Sequence, residues 1–231
     1  MANAVPDDFV PGLEGVVAFT TDIAEPDKNG GNLRYRGVDI EDLVENKVTF
    51  ADVWALLVDG KFGDGLPPAE PFPLPIHTGD VRVDVQAALA MLAPPIWGYE
   101  PLLDIDDATA RENLARASVM ALSYVAQSAR GIHQPAVPQH VIDECSTVTE
   151  RFMTRWKGDP DPKHVAAIDA YWVSAAEHGM NASTFTARVI ASTGATSRRR
   201  CRVPSVPCPD PPARRRAGPR AADDRRGRED R

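Results

Sequence analysis

The sequence contains few cysteines and no long apolar run. Cys145 is the only cysteine before residue 196, and Cys201 and Cys208 follow it. This spacing gives neither a disulfide framework nor the Cys/His pattern of a structural zinc site. No segment approaches the roughly 18 apolar residues that a membrane helix requires, and the acidic N-terminus lacks the features of a secretory signal. We therefore expect a cytoplasmic protein with no membrane span and no structural metal.

The charge distribution divides the chain after Ala195. Residues 1–195 contain 14 Lys and Arg against 28 Asp and Glu, whereas residues 196–231 contain 12 Arg against 5 acids. The second part also lacks Leu, Ile, Phe, Met, Tyr, Trp and Lys. A stretch so rich in Arg and Pro cannot bury a core. We therefore expect residues 1–195 to form an incomplete helical domain and residues 196–231 to be a disordered or out-of-frame tail.

A small β-hairpin is predicted near the N-terminus. Apolar runs at 15–19 and 33–36 flank the segment 25–31, which is rich in turn-forming Pro, Asp, Asn and Gly. Nothing else in the sequence resembles a ladder of strands, and no repeat or glycine-rich phosphate loop is present.

Helical spacing of apolar residues dominates the rest of the first 195 residues, which predicts an all-α class. Thr49 and Asp52 resemble a capping box, and Gly60 stands where a glycine would end that helix. Further helices are predicted over 81–92, 165–175 and, with Asn181 as its N-cap, 181–193.

The longest predicted helix is Asp107–Arg130, which Gly131 ends. Its apolar stripe consists of Leu114, Ala117, Ala121, Leu122 and Val125. The many alanines suit close packing against other helices.

Two segments carry a family resemblance. Leu33–Leu43, with the sequence LRYRGVDIEDL, resembles the N-terminal signature of the citrate synthase family, which a helix such as Thr49 to Gly60 and a proline-rich connector normally follow. Glu177–Arg188, with the sequence EHGMNASTFTAR, resembles that family's His-x-x-Asn-x-Ser-Thr segment. The resemblance covers most of residues 10–195.

The resemblance implies the N-terminal part of a large helical domain, a homodimer, and the condensation of acetyl-CoA with oxaloacetate to citrate and CoA. It implies that His178 binds oxaloacetate and that neither a metal nor a cofactor is required, since acetyl-CoA is a substrate. The family's two other active-site histidines, its catalytic aspartate and its substrate-binding arginines lie C-terminal to this segment. No catalytic residue is therefore retained in frame, and we expect the printed chain to be inactive.

The tail agrees with a frameshift. Because each amino acid fixes the first two bases of most of its codons, shifted readings can be tested. Reading 196–211 from the third base permits a helix-like Val-Ala-Ala-Ala-Leu-Ser-Gly-Ala-Ile-Gly-Ala segment. Reading 212–228 from the second base permits Leu-His-Gly-Gly, the family's histidine loop. We hypothesise one base lost near Ala195 and a second error in a run of C near Pro211, arising either in the gene or in its sequencing.

Two other functions stay open. A 2-methylcitrate synthase would share the fold and use propionyl-CoA, while a non-catalytic paralogue would keep the dimer-forming helices as a binding module. The arginine clusters at 198–200 and 214–216 would attract phosphate, but the tail has no aromatic residue for stacking and no recognisable nucleic-acid-binding fold. We expect no specific nucleic-acid partner.

Each candidate side chain also has a simpler structural interpretation. His178 could be a helix-terminal histidine bonded to nearby backbone, and Arg188 a solvated or salt-bridged arginine rather than a substrate ligand. Asp104, Asp106 and Asp107 favour a helix N-terminus over a metal site. Eight further residues are assigned to structural positions: His77, His133, His140 and His164 to the surface or loops, and Trp54, Trp97, Trp156 and Trp172 to the core or an interface.

Overall fold

The computed structural model describes residues 20–27, 30–63, 65–92, 105–179 and 181–193. Three short strands precede eight helices in these residues. The strands are β1 (Ala24–Pro26), β2 (Leu33–Tyr35) and β3 (Val38–Asp39). The helices are α1 (Ile40–Glu45), α2 (Phe50–Asp59), α3 (Val81–Met91), α4 (Asp107–Arg130), α5 (Gln139–Asp143), α6 (Val148–Lys157), α7 (Pro162–Ala175) and α8 (Ala182–Thr193). The predicted all-α class with a small N-terminal hairpin is confirmed.

The sheet is antiparallel in the order β1-β2-β3, with Ala24 opposite Tyr35 and Tyr35 opposite Val38. The prediction assigned Glu25 and Pro26 to the turn, which was wrong because both lie in β1. The predicted first strand at 15–19 lies outside the described residues. Two residues connect β2 to β3, which pairs antiparallel with β2. The sequence pattern did not predict β3.

Local capping chemistry sets the ends of α2 as predicted. The Thr49 hydroxyl accepts a hydrogen bond from the Asp52 amide, and the Asp52 carboxylate accepts one from the Thr49 amide. Gly60 ends the helix with φ of 75°, a left-handed conformation that glycine adopts without steric cost.

The bounds of α4 are as predicted, but the predicted buried stripe was wrong. Leu114 is 49% exposed, and Ala117, Ala121, Leu122 and Val125 are only half-buried. The buried face consists of Asn113, Ala115, Val119, Met120, Ser123, Tyr124 and Ala126. This face packs against α3 and α6. Since alanines surround the helix, periodicity alone does not decide which face the neighbouring helices cover.

The helices α5 and α6 were not predicted. The Thr147 hydroxyl accepts from the Glu150 amide at 3.0 Å and starts α6, so a Ser/Thr-x-x-Glu start signal was present in the sequence. The predicted stripe on α7 is partly confirmed: Val165, Ile168 and Trp172 are half-buried, but Ala175 is exposed.

One core cluster joins the sheet to α1, α2 and α7. Its buried members are Ala24, Tyr35, Leu43, Val53, Leu56 and Val173. Two other clusters lie between α4 and its neighbours, α3 on one side and α6 on the other. In the part of the chain that the structure describes, no helix is both long enough and apolar enough to span a membrane. The predicted tail 196–231 lies outside the described residues.

Candidate functional site

His178 lies in the short connection between α7 and α8. Gly179 follows it with φ of 94°, a conformation that side-chain-bearing residues rarely adopt. A Cβ atom at Gly179 would stand 3.1 Å from Cγ of Pro26 in β1. The connection therefore approaches the sheet closely, and glycine at this point meets both the backbone and the packing requirement.

Tyr35 anchors this connection to the sheet. Its hydroxyl donates to the carbonyl of Ser174 at 3.2 Å and accepts from the amide of Glu177 at 3.3 Å. The side chain is fully buried. Burial raises the pKa of the Tyr35 phenol, although its backbone bonds to Glu177 and Ala176 oppose this effect. The phenol consequently stays protonated at neutral pH and keeps its hydrogen for the Ser174 carbonyl.

Glu177 and Asn181 both contact His178, Glu177 at its backbone amide and Asn181 at its imidazole ring. The Glu177 carboxylate accepts from the His178 amide at 3.0 Å and from the Thr184 hydroxyl at 3.1 Å. The Asn181 side-chain oxygen accepts from the Thr184 amide at 2.8 Å, so Asn181 is the N-cap of α8, as predicted.

The orientation of Asn181 favours one tautomer of His178. Since its oxygen faces the Thr184 amide, its Nδ2 group faces Nε2 of His178, at 3.1 Å. An amide NH2 group only donates, so Nε2 accepts this hydrogen bond in the tautomer that carries its proton on Nδ1. In that tautomer Nδ1–H is available as a donor.

The exposed His178 side chain lines a cavity beside the sheet. The other lining residues are Pro26, Asp27, Gly30, Gly31, Asn32, Leu33, Asp39, Ile40 and Glu41. Three of these described lining residues carry carboxylates and none is Lys or Arg. Arg34 lies 3.9 Å from Asp39 and is half-exposed, so it offsets little of this negative charge. These groups alone would repel a dicarboxylate.

Most other candidates occupy the structural positions that the simpler interpretation assigned to them. Arg188 donates to the hydroxyl of Thr21 at 3.1 Å. Asp106 is the N-cap of α4, accepting from the Thr109 amide at 2.8 Å, which confirms its helix-starting role. The four remaining histidines are exposed: His77, His133, His140 and His164. Trp54, Trp156 and Trp172 are half-buried, while Trp97 and Asp104 lie outside the described residues.

Tyr35, Glu177 and Thr184 were missed as residues that position His178. Tyr35 lies within the N-terminal signature, but its hydrogen bond with Glu177 joins positions 142 residues apart. A buried tyrosine needs a partner for its hydroxyl, and the sequence does not identify that partner. Across the described residues, no three His, Cys, Asp or Glu side chains come together as a metal site would require.

Comparison with known proteins identifies the family. The family model described as citrate synthase, C-terminal domain, matches residues 12–198. A Mycobacterium tuberculosis protein named "Putative citrate synthase 2" is 86% identical over 193 residues, which cover 84% of this chain and 52% of that protein. The citrate synthase of Haloferax volcanii is 31% identical over 204 residues, covering 79% of this chain and 52% of that protein.

The fold matches that of solved citrate synthases. The Thermoplasma acidophilum enzyme, solved with carboxymethyl coenzyme A and oxaloacetate, superposes with a TM-score of 0.61 at 20% identity, over 78% of this chain and 51% of that one. The Thermotoga maritima enzyme gives a TM-score of 0.53 at 25% identity, over 79% and 51% of the two chains. The chain thus spans about half the length of its relatives. On its sequence and its fold, it belongs to the citrate synthase family.

Proposed function

We propose that this chain is the N-terminal portion of a cytoplasmic acyltransferase that condenses acetyl-CoA with oxaloacetate to give citrate and free CoA. The proposed reaction uses no metal and no cofactor. Family membership supports it, and so does the Thermoplasma relative, which binds oxaloacetate and a coenzyme A derivative. The observation that carries the proposal is the placement of His178, held between Glu177 and Asn181 at the edge of a cavity.

His178 is the proposed oxaloacetate ligand. With Nε2 accepting from Asn181, its Nδ1–H group can donate to a substrate oxygen. A hydrogen bond from a fixed imidazole orients the substrate. The backbone around His178 is held because the Tyr35 hydroxyl accepts from the Glu177 amide and the Glu177 carboxylate accepts from the His178 amide.

The printed chain is proposed to be inactive. Removing a proton from the acetyl methyl group requires a positioned base and donors aimed at the developing enolate oxygen. A dianionic substrate also requires cationic partners, whereas the described lining of the His178 cavity carries Asp27, Asp39 and Glu41.

Thiol release from acetyl-CoA and oxaloacetate tests this proposal, with propionyl-CoA as a second substrate for 2-methylcitrate synthase activity. The purified 231-residue chain should release no CoA above the uncatalysed rate with either thioester. Turnover that follows the protein through purification would contradict the proposed inactivity.

The frameshift is proposed as the origin of residues 196–231. The family match that ends at residue 198 supports it, as does the 193-residue extent of the 86% identity. The test is to sequence the DNA across codons 190–235 and beyond. Restored frames should continue into the second histidine, the aspartate and the arginines of the family. An intact frame that retains the printed tail would refute the frameshift, and unrelated downstream sequence would favour a shortened, non-catalytic paralogue.

A homodimer is the proposed assembly, with α4 contributing to the contact. Its outward stripe of Leu114, Ala117, Ala121 and Val125 is exposed or half-buried, while its other face already packs against α3 and α6. Small side chains allow a second helix to approach closely. In the frame-restored protein, Ala121→Glu should shift the mass measured by light scattering from dimer towards monomer, while Ala166→Glu, at an exposed position on α7, should not.

A further inference from the structure

Three neighbouring arginines of the described residues have no carboxylate within ion-pair distance. Arg130, Arg151 and Arg155 form no ion pair with an acidic side chain of the described residues. Five arginines do form such pairs: Arg34, Arg36, Arg82, Arg111 and Arg116. In residues 1–195, acids outnumber Lys and Arg by 28 to 14. Despite this excess, no acidic side chain of the described residues forms an ion pair with these three arginines.

All three arginines lie around the C-terminus of α4 and the adjacent helices α5 and α6. Arg130 donates from Nε to the carbonyl of Pro135 at 2.7 Å and from Nη1 to that of Trp156 at 2.9 Å. Arg155 donates to the side-chain oxygen of Gln139 at 3.3 Å. Arg151 lies one turn before Arg155, and its buried Nε has no hydrogen-bond partner.

A cavity lies between these elements. Arg130, Arg155, His77, Gln127 and Gln134 line it, and no carboxylate is present in its described lining. Arg155 also lines a second cavity, together with Arg151 and Asp143. The first cavity therefore combines two guanidinium groups from different helices with an imidazole and side-chain amides.

A structural role explains only part of this arrangement. Arg130 lies against the C-terminal carbonyls of α6, where a cation is favourable. Arg155 has no comparable role, since the one hydrogen bond that its side chain donates within the described residues is to a neutral amide. Burial lowers the pKa of Arg155, and the charge of Asp143 opposes this only in part. A bound anion would compensate the guanidinium charge that burial removes from water.

We propose that this cavity, lined by Arg130, Arg155 and His77, binds a phosphate group, either free or as part of a small phosphorylated metabolite. Guanidinium groups match phosphate oxygens through pairs of parallel N–H bonds. A tetrahedral, multiply charged anion can accept hydrogen bonds from several donors around it and also balances the charge of the guanidinium groups. The cavity is separate from the one that His178 lines, so the proposal does not depend on the condensing activity.

Isothermal titration of the full chain with inorganic phosphate, pyrophosphate and ATP tests the proposal, with ionic strength held constant by chloride. At least one of these ligands should bind saturably at one site. Preference for inorganic phosphate or pyrophosphate would indicate a free anion, and preference for ATP a phosphorylated metabolite. Arg155→Gln should weaken binding roughly tenfold or more, because charge-assisted hydrogen bonds are lost. Arg155→Lys keeps the positive charge but loses the planar guanidinium group that forms parallel N–H bonds. Its affinity should lie between those of the wild type and Arg155→Gln.

Arg82→Gln is the matched control, because Arg82 is an exposed arginine on α3 that pairs with Asp80. It should leave the affinity unchanged. His77→Gln alters an exposed lining residue and should weaken binding without changing the helical circular dichroism, so it decides the outcome if Arg155→Gln unfolds. Absence of saturable binding would overturn the proposal. Equal affinity of Arg82→Gln and His77→Gln would also overturn it.

Discussion

Tyr35→Phe removes one oxygen atom from the core and thereby tests how the connection at His178 is held. The hydroxyl makes two hydrogen bonds, to the Ser174 carbonyl and from the Glu177 amide. Each such bond contributes about 0.5 to 1.5 kcal/mol net, so the variant should lose roughly 1 to 3 kcal/mol of unfolding free energy. For a folded unit of this size, that corresponds to a fall in Tm of roughly 2 to 12 °C.

The effect should be largest at the connection itself. If the free energy of local opening falls by the same amount, amide exchange at Glu177 should accelerate roughly 5- to 150-fold. Urea unfolding and exchange mass spectrometry measure the two quantities. The control is Tyr171→Phe, which removes the same atom from a side chain on α7 that is 65% exposed. If the two variants lose equal stability and exchange at equal rates, the Tyr35 hydroxyl does not anchor the connection.

Three further predictions concern the site and the fold. In the frame-restored enzyme, His178→Ala should raise the KM for oxaloacetate roughly ten- to hundredfold, with a smaller effect on that for acetyl-CoA; unchanged oxaloacetate kinetics would show that His178 is not its ligand. Gly179→Ala should lower unfolding free energy by about 1 to 3 kcal/mol, because φ is 94° and a proline atom stands 3.1 Å from the new Cβ. The control is Gly63→Ala, where a Cβ atom meets open space, and it should leave the unfolding free energy nearly unchanged. Equal losses of unfolding free energy in the two variants would contradict this reasoning. Hydrogen bonds from Arg111 hold the pKa of Asp59 below its usual value in the folded state. The stabilisation of the folded state by these bonds is present above the pKa that Asp59 has in the unfolded chain. It is lost as the pH falls through the lower pKa of the folded state. The unfolding free energy of the wild type should exceed that of Asp59→Asn by about 1 kcal/mol or less at neutral pH, and this difference should disappear in acid. A difference between their urea midpoints that is the same at pH 7 and below pH 3 would refute this prediction.

Local signals gave the ends of helices correctly. Thr49, Asp52 and Gly60 satisfy backbone groups within a few residues of themselves, so their effect on α2 needs no distant partner. The same holds for Asp106 at the start of α4 and Asn181 at the start of α8. The bounds of such elements are therefore readable from sequence.

The buried face of α4 and the anchoring of His178 depend on distant residues. Alanines on several sides of α4 leave its orientation to neighbouring helices such as α3, which packs against Met120 and Tyr124. The resemblance pointed to His178, but the bond between Tyr35 and Glu177 joins two segments whose local patterns carry no trace of each other. Tertiary packing decides both features.

The contact between α7 and the sheet joins residues that are distant in sequence, which has a consequence for synthesis on the ribosome. Tyr35 and its partner Ser174 are 139 residues apart, and a ribosome adds about 5 to 20 residues per second. The sheet therefore emerges roughly 7 to 28 s before α7 can cover it. During that interval Tyr35, Leu43 and Val53 lack Val173, the member of their cluster that α7 supplies. A nascent chain paused before residue 173 would display this apolar surface, which makes it a substrate for chaperones that bind exposed hydrophobic segments.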